Sequence, residues 1–262
     1  MPLVIDMKVV ILAGGFGTRI SEESIYKPKP LIEIGGMPII WHIMKYYSSF
    51  GLNDFIICGG YKQNCLKEYF ANYFLNNSDI TFDMKNNSMT VHKTNSEPWT
   101  VTIVDTGLHT MTGGRVKRIK EYIGNETFML TYGDGVSDVN LNELLKYHQK
   151  SGKLVTLTAV MPGGRFGALN IDSNGNINSF KEKKKEDGGW INGGFMVLEP
   201  EAIDYIDGDT QMLEQEPFSR LVKDKQLAAY KHDGFWQCMD SMKDRTFLED
   251  LIAKGKAPWI KW

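Results

Sequence analysis

Apolar and polar positions along this chain switch between a helical and a strand period, and the switches lay out its elements. Lys8 to Ala13 is a nearly unbroken apolar run, the pattern of a strand covered on both faces. After Pro38, the residues Ile39, Ile40, Ile43, Met44, Tyr47 and Phe50 recur at helical spacing and Gly51 follows as a stop, which predicts a helix. A strand over 54–58 and a helix over about 62–75 complete a βαβα start, the order that builds a parallel sheet with covering helices. Between 76 and 105, Asn76-Asn77 and Asn86-Asn87 punctuate short alternating stretches, which predict β-hairpins inserted into the sheet layer rather than another crossover. The pattern then predicts a strand over 126–132 and a helix from Leu141 to Gln149. Strands follow near 154–161, 165–172, 176–181 and 190–198, with a turn at Asn174-Gly175, and helices near 200–207, 216–224 and 243–254. No repeat, low-complexity tract or linker intervenes. The expectation is one α/β domain over 1–262, a Rossmann-like mixed, mostly parallel sheet flanked by helices with inserted β-hairpins.

Composition narrows the partners. At 262 residues the chain can bury a substantial core, and a net charge of −2 offers no footprint for a nucleic-acid backbone. The basic run Lys181, Lys183, Lys184 and Lys185 is diluted by Glu182 and Glu186, as on a solvated loop. Cys58, Cys65 and Cys238 are odd in number and lack metal-ligand spacing, which favours reduced thiols and a cytoplasmic location over a disulfide framework. No apolar run reaches membrane-spanning length, so no membrane partner is expected. Met1 to Ala13 is interrupted by Asp6 and Lys8 and has no basic leader, so it does not read as a signal peptide, and Met7 is a second candidate start. His42, His92, His148 and His232 show no metal-binding spacing. Trp259 and Trp262 at the tail are expected to dock on something, and a subunit contact in a homo-oligomer is the preferred reading.

The candidate chemistry begins where the first strand breaks into Gly14-Gly15-Phe16-Gly17-Thr18-Arg19, with Lys27-Pro28-Lys29-Pro30 close behind. Glycines let backbone N–H groups approach phosphate oxygens, and Arg19 and Lys29 add fixed cations, so the stretch suits a polyphosphate. It is neither a Walker loop, since G-x-x-x-x-G-K-[ST] is absent, nor a dinucleotide fingerprint, since Ile20 replaces the third glycine. The alternative is a plain glycine turn with Arg19 and Lys29 solvated. Asp134 follows the apolar strand Phe128 to Tyr132 with glycine on either side, leaving its carboxylate open where α/β sheets bind ligands; a tight turn is the competing reading. Asp240, by itself, reads as the N-cap of the helix after Ser241.

Leu12-Ala13-Gly14-Gly15-Phe16-Gly17-Thr18-Arg19, followed by Lys29-Pro30-Leu31-Ile32-Glu33-Ile34-Gly35-Gly36, resembles the signature of the sugar-phosphate nucleotidylyltransferases. The segments 55–62, Val104-Asp105-Thr106-Gly107, Met111 to Arg115 and Gly255 to Trp259 resemble the branch that uses CTP and glucose 1-phosphate. The resemblance implies the nucleotidyltransferase fold, with 8–150 mainly binding nucleotide and 151–262 mainly binding sugar phosphate. It implies that Leu12 to Arg19, Lys29, Thr110, Arg115 and Asp134 contact the nucleotide. Gly167, Glu182, Lys183, Asn192 and Gly193 are implied for the sugar phosphate, Gly193 by letting the pyranose approach the backbone; Lys184 stands where the family usually has proline. Asp134 and Asp240 are implied as ligands of Mg²⁺, with Arg19 and Lys29 completing the catalytic set. In-line attack by glucose 1-phosphate on the α-phosphorus of CTP would give CDP-glucose and pyrophosphate without a protein nucleophile, in support of 3,6-dideoxyhexose and O-antigen synthesis. The rival readings are a uridylyl- or thymidylyltransferase, a nucleotide-sugar sensor that does not turn over, and a glycosyltransferase. For the last, the nearest D-x-D is Asp207-Gly208-Asp209, which follows a helix rather than a strand.

Overall fold

A computed structural model of the chain describes residues 7–17, 20, 27–161, 168–172, 175–181 and 189–262. In chain order, β1 (Lys8–Leu12) is followed by the short pair β2 (Glu33–Ile34) and β3 (Met37–Pro38), α1 (Ile39–Ser48), β4 (Asp54–Gly59) and α2 (Gln63–Asn76). Next come β5 (Ser78–Asp83), β6 (Ser88–Thr94), β7 (Thr100–Asp105), α3 (Thr112–Arg118), α4 (Lys120–Ile123), β8 (Phe128–Tyr132) and β9 (Gly135–Ser137). The second half holds α5 (Leu141–Ser151), β10 (Val155–Val160), β11 (Ala168–Ile171), β12 (Ile177–Lys181), β13 (Ile191–Asn192) and β14 (Met196–Leu198). After a 3₁₀ turn at Pro200–Tyr205, α6 (Glu216–Lys223), β15 (Leu227–His232), β16 (Trp236–Cys238) and α7 (Met242–Ala253) complete the order.

β1 sits inside an eight-stranded sheet, parallel to β4 on one side and β8 on the other, with β7 parallel beyond β4. β14 runs antiparallel between β8 and β10, and β15 pairs parallel with β10. Alternation along β1 sends Val9 and Ile11 to one core and Val10 and Leu12 to the other, which is why the run reads as continuously apolar. The chain leaves β1 toward β4 and later returns to β8 on the opposite side. That reversal opens a crevice at the carboxyl ends of β1 and β8, the place where open α/β sheets hold ligands.

Three expectations change. Residues 78–94 form a two-stranded hairpin as predicted, but 100–105 is a parallel edge strand, so β4, α2 and β7 make a further crossover with the hairpin inserted in it. The span 190–198 is two short strands separated by Gly193-Gly194, where Gly194 has φ +74°. The tail does not reach for a partner at Trp259: its ring is fully buried in the protein's own core, stacked on Phe235 with centroids 5.4 Å apart. Trp262 meets Trp41 edge-on at 5.7 Å. Among the described residues no helix is long and apolar enough to cross a membrane.

Candidate active site

The loop leaving β1 is pinned from both sides before it opens. Ala13 N–H donates to the Cys58 carbonyl (3.1 Å), Gly133 N–H to the Leu12 carbonyl (2.9 Å) and Tyr61 N–H to the Gly14 carbonyl (3.1 Å). Beyond Gly14 the backbone faces a cavity of about 490 Å³, and a Cβ on Gly15 would meet nothing within 4 Å. The structure gathers Leu12, Ala13, Gly14, Gly15, Phe16, Gly17, Lys29, Thr110, Arg115, Asp134 and Asp240 around this one cavity. Phe16 stands at its mouth, tilted against Tyr61 and His109 with centroids 5.3 and 6.0 Å away. Thr18, Arg19, Gly167, Glu182 and Lys183 lie outside the described residues.

Lys29 and the two acids converge from three distant parts of the chain. Lys29 opens a 3₁₀ turn between Pro28 and Pro30, and buried Pro30 packs against Gly133, where an added Cβ would lie 3.2 Å from the proline ring. This fixes the backbone of Lys29 beside the Gly133-Asp134 turn. Asp240 arrives through the β9–β16 ladder, in which Cys238 pairs with Gly135 and Met239 N–H donates to the Asp134 carbonyl (2.8 Å). The Lys29 Nζ then donates to Asp134 Oδ2 at 2.5 Å and to Asp240 Oδ1 at 2.6 Å, with only 12 % of its side chain exposed. Burial alone lowers the Lys29 pKa, but the two carboxylates outweigh it and the net shift is upward. Burial together with Asp240 and Asp134 raises the neighbouring Cys238 thiol, which stays protonated and points its S–H at Asp240 Oδ2, 3.6 Å away.

Asp240 is not the cap of α7; Ser241 is. Its hydroxyl accepts from Asp244 N–H (3.3 Å) and donates to Asp244 Oδ2 (2.7 Å), and the same carboxylate takes the Asp240 N–H at 3.2 Å. Asp244 therefore holds the backbone of Asp240, from the third position of the helix that Ser241 caps. Among the described residues no cluster of three or more His, Cys, Asp or Glu is placed to share a metal ion. Two hard carboxylate oxygens already converging on one cation nonetheless suit Mg²⁺, which takes one or two carboxylates and completes its shell with phosphate oxygens and water.

Arg115 lies beneath the cavity floor on α3, 4 % exposed, rather than in a loop. Its two terminal nitrogens donate to the carbonyls of Gly59, Gly107, Gly14 and Leu108 and to the Thr106 hydroxyl, at 2.7–3.4 Å. These bonds tie the end of β4 to the loops after β1 and β7. A Cβ on Gly14 or Gly60 would strike this guanidinium, which is why both positions are glycine.

On the acceptor side, Asn192 Nδ2 donates to the Tyr132 hydroxyl (3.2 Å) and its Oδ1 accepts from Gly194 N–H (2.9 Å). Tyr132 lines the cavity and donates its own hydroxyl hydrogen bond to Glu214, which also accepts from Thr112 Oγ1 (2.6 Å). The pattern of the sequence missed Tyr132 and Glu214, since a tyrosine ending a strand and a glutamate in a loop carry no spacing signal. Packing by itself asks for glycine at 193: a Cβ there would lie 2.9 Å from Val160 and 3.2 Å from the Trp236 indole nitrogen. Asp207 and Asp209 are taken by Arg220 and Arg118, as ion pairs outside the cavity lining.

The profile of the family described as nucleotidyl transferase matches residues 8–241. The chain is 57 % identical over 257 residues to the glucose-1-phosphate cytidylyltransferase of Salmonella typhi, covering 98 % of this chain and all of that one. It is 44 % identical over 258 residues to the probable glucose-1-phosphate cytidylyltransferase of Bacillus subtilis strain 168, with 98 % and 100 % covered. In fold it is similar to the crystal structure of HddC from Yersinia pseudotuberculosis, at TM-score 0.73 and 23 % identity over 94 % of this chain and 99 % of that one.

Proposed function

The chain belongs to the nucleotidyl transferase family, and from that membership we propose that it acts as a glucose-1-phosphate cytidylyltransferase, transferring CMP from CTP to glucose 1-phosphate. The observation that carries the mechanism is the convergence of Lys29, Asp134 and Asp240 at the edge of the glycine-lined cavity. A phosphate oxygen of glucose 1-phosphate forms the new bond to the α-phosphorus of CTP as the bond to the bridging oxygen breaks, and pyrophosphate carries away that electron pair. No protein nucleophile is needed; the protein's work is positioning and charge stabilisation. Asp134 and Asp240 would hold Mg²⁺, which when bound neutralises charge on the phosphate oxygens. Lys29 supplies the ammonium for the α-phosphate and the incoming phosphate. The backbone of residues 14–17 cradles the β- and γ-phosphates, with Arg19 assigned to the same oxygens.

Thr110 and the loop over 106–112 are assigned to the base and ribose. Arg115 enters this reading as the residue that fixes the loop, because carbonyl oxygens and the Thr106 hydroxyl already accept from its terminal nitrogens. Asn192, braced through Tyr132, Glu182, Lys183 and Gly167 are assigned to the sugar phosphate. Pyrophosphate release measured with ATP, CTP, GTP, UTP and dTTP, in the presence of glucose 1-phosphate and Mg²⁺, is expected to show kcat/KM for CTP at least about tenfold above the rest, the discrimination within reach of hydrogen bonds to a base edge. Equal use of UTP would overturn the base assignment.

The homo-oligomer is assigned to the hairpin instead of the tail. Ile80 pairs with Val91 and Phe82 with Met89, placing four apolar side chains on one face of β5–β6, and Phe82, Met89 and Met84 at the tip are 58 %, 50 % and 86 % exposed. A two-stranded hairpin is marginal in water unless its apolar face is covered. A second copy fits, since the same chain carries a groove of about 580 Å³ between α2 and β7 in which Phe70, Phe74, Trp99, Val101 and Ile103 lie beside Lys67, Ser96 and Glu97. Replacing both Phe82 and Met89 by Asp is expected to lower the mass measured by light scattering to that of one chain, and an unchanged oligomeric mass would remove the hairpin from the interface.

A further inference from the structure

The ion-pair triad at the cavity edge carries a consequence for how substrates load. Lys29 places one ammonium between two carboxylates, at 2.5 and 2.6 Å, on the oxygens that the proposed function gives to a divalent ion. The backbone of Lys29 is fixed by Pro28, Pro30 and the packing of Pro30 on Gly133, whereas its side chain is a flexible four-carbon stem that borders the cavity. The cavity into which the ammonium would swing is lined by the glycine loop assigned to the triphosphate. An ammonium and a divalent cation on the same pair of carboxylates would repel one another at contact distance, in a site where only 30 % and 19 % of the two acids is exposed and screening is weak.

We propose that Lys29 is a displaceable counter-ion: it closes the acid pair against divalent ions in the nucleotide-free protein and releases it when the ammonium is drawn onto the triphosphate. The inference rests on the two-acid ion site of the proposed function. Nucleotide and divalent ion then favour each other's binding through one side chain, and by linkage each raises the other's affinity by the same factor. The device also explains why a lysine that must act on phosphate is held in advance by the acids rather than left in solvent.

The test is Mn²⁺ binding to the full chain without nucleotide, followed by electron paramagnetic resonance, in the wild type and in Lys29→Met and Lys29→Gln. Both variants are expected to bind Mn²⁺ about tenfold or more tightly than the wild type, within the usual range of coupling factors. Adding Asp134→Asn to Lys29→Met should abolish the gain. Melting in chelator and in Mn²⁺ confirms that each variant folds, and the ion should raise the midpoint of Lys29→Met more than that of the wild type. Affinity that is unchanged or weaker in both variants, yet still lost with Asp134→Asn, would overturn the counter-ion role and leave the two-acid site standing. Mn²⁺ binding indifferent to Asp134→Asn would overturn that site and the inference with it.

Discussion

Lys29→Ala is expected to keep its fold and lose about 10²–10³-fold in kcat, the scale on which removal of one preorganised charge donor is felt in a water-poor site. The loss should fall on kcat more than on KM, because charge builds on the attacking and leaving oxygens only in the transition state. The fold survives because the backbone at 28–31 is set by its two prolines and by Pro30 against Gly133, none of which uses the ammonium. What the substitution leaves behind is two carboxylates that water reaches in part, a stability cost of about 1–2 kcal/mol. The pH dependence of that cost follows from the sign of the shift. The Lys29 pKa is raised in the folded protein, so its contribution is fully present below the ordinary lysine pKa and is lost only as pH rises through the folded value. The difference in melting temperature between wild type and Lys29→Ala should therefore be flat from about pH 6 to 9 and shrink above about 10.5. Near-normal kcat in the variant would remove Lys29 from the mechanism.

How much of this site was legible in advance depends on the range over which each contact is made. The strand, glycine loop and Pro-flanked lysine lie within 8–34, and Asp134 announces itself by the glycines beside it; local pattern was enough for these. The pairing of Asp134 with Asp240 depends on the β9–β16 ladder, whose strands are three residues each and too short for any period to show. Asp240 reads as a cap because Asp is a good cap, but Ser241 is one residue nearer the helix and its hydroxyl accepts the Asp244 N–H. Residues 112–118 did not read as a helix because Gly113 and Gly114 are poor helix formers. Both are glycine because the segment at 209–213 presses on them: a Cβ on Gly113 would lie 2.7 Å from the Gln211 carbonyl oxygen, and one on Gly114 would lie 2.5 Å from Asp209 Cα. The same helix carries Arg115 inward, where it is buried beneath the loops it binds. The alternation Thr100 to Asp105 reads alike for a hairpin arm and for a parallel edge strand, so the sequence had no means to choose between them.

Arg115→Ala is expected to destabilise the protein and weaken nucleotide binding together, an outcome that separates a residue fixing the loops from one that only reads a base. Burial pulls the Arg115 pKa down from its ordinary value, yet a guanidinium starts so high that the side chain remains charged. Its terminal nitrogens donate to four backbone carbonyls, at the end of β4 and in the loops after β1 and β7, of which Gly14 also accepts from Tyr61 N–H and Gly59 from Thr106 N–H. Truncation removes one donor from each of these oxygens and opens a gap under the cavity floor, and even with water entering, the loss of the whole set of bonds is about 3 kcal/mol. For a chain of this size that lowers the melting temperature by roughly 6–9 °C. Gly14, whose carbonyl is one of the four, opens the loop assigned to the triphosphate, so the KM for CTP should rise about tenfold or more as the cradle loosens. Arg115→Lys retains the charge but not the fork that reaches several carbonyls at once, and it should recover less than half of the lost stability. A base-reading arginine behaves otherwise: its loss would relax the preference for CTP over UTP while leaving the melting temperature within about 1–2 °C of the wild type. Calorimetry on the two variants, beside the nucleotide panel, distinguishes the cases, and an unchanged melting temperature in Arg115→Ala would show that these segments hold their places without it.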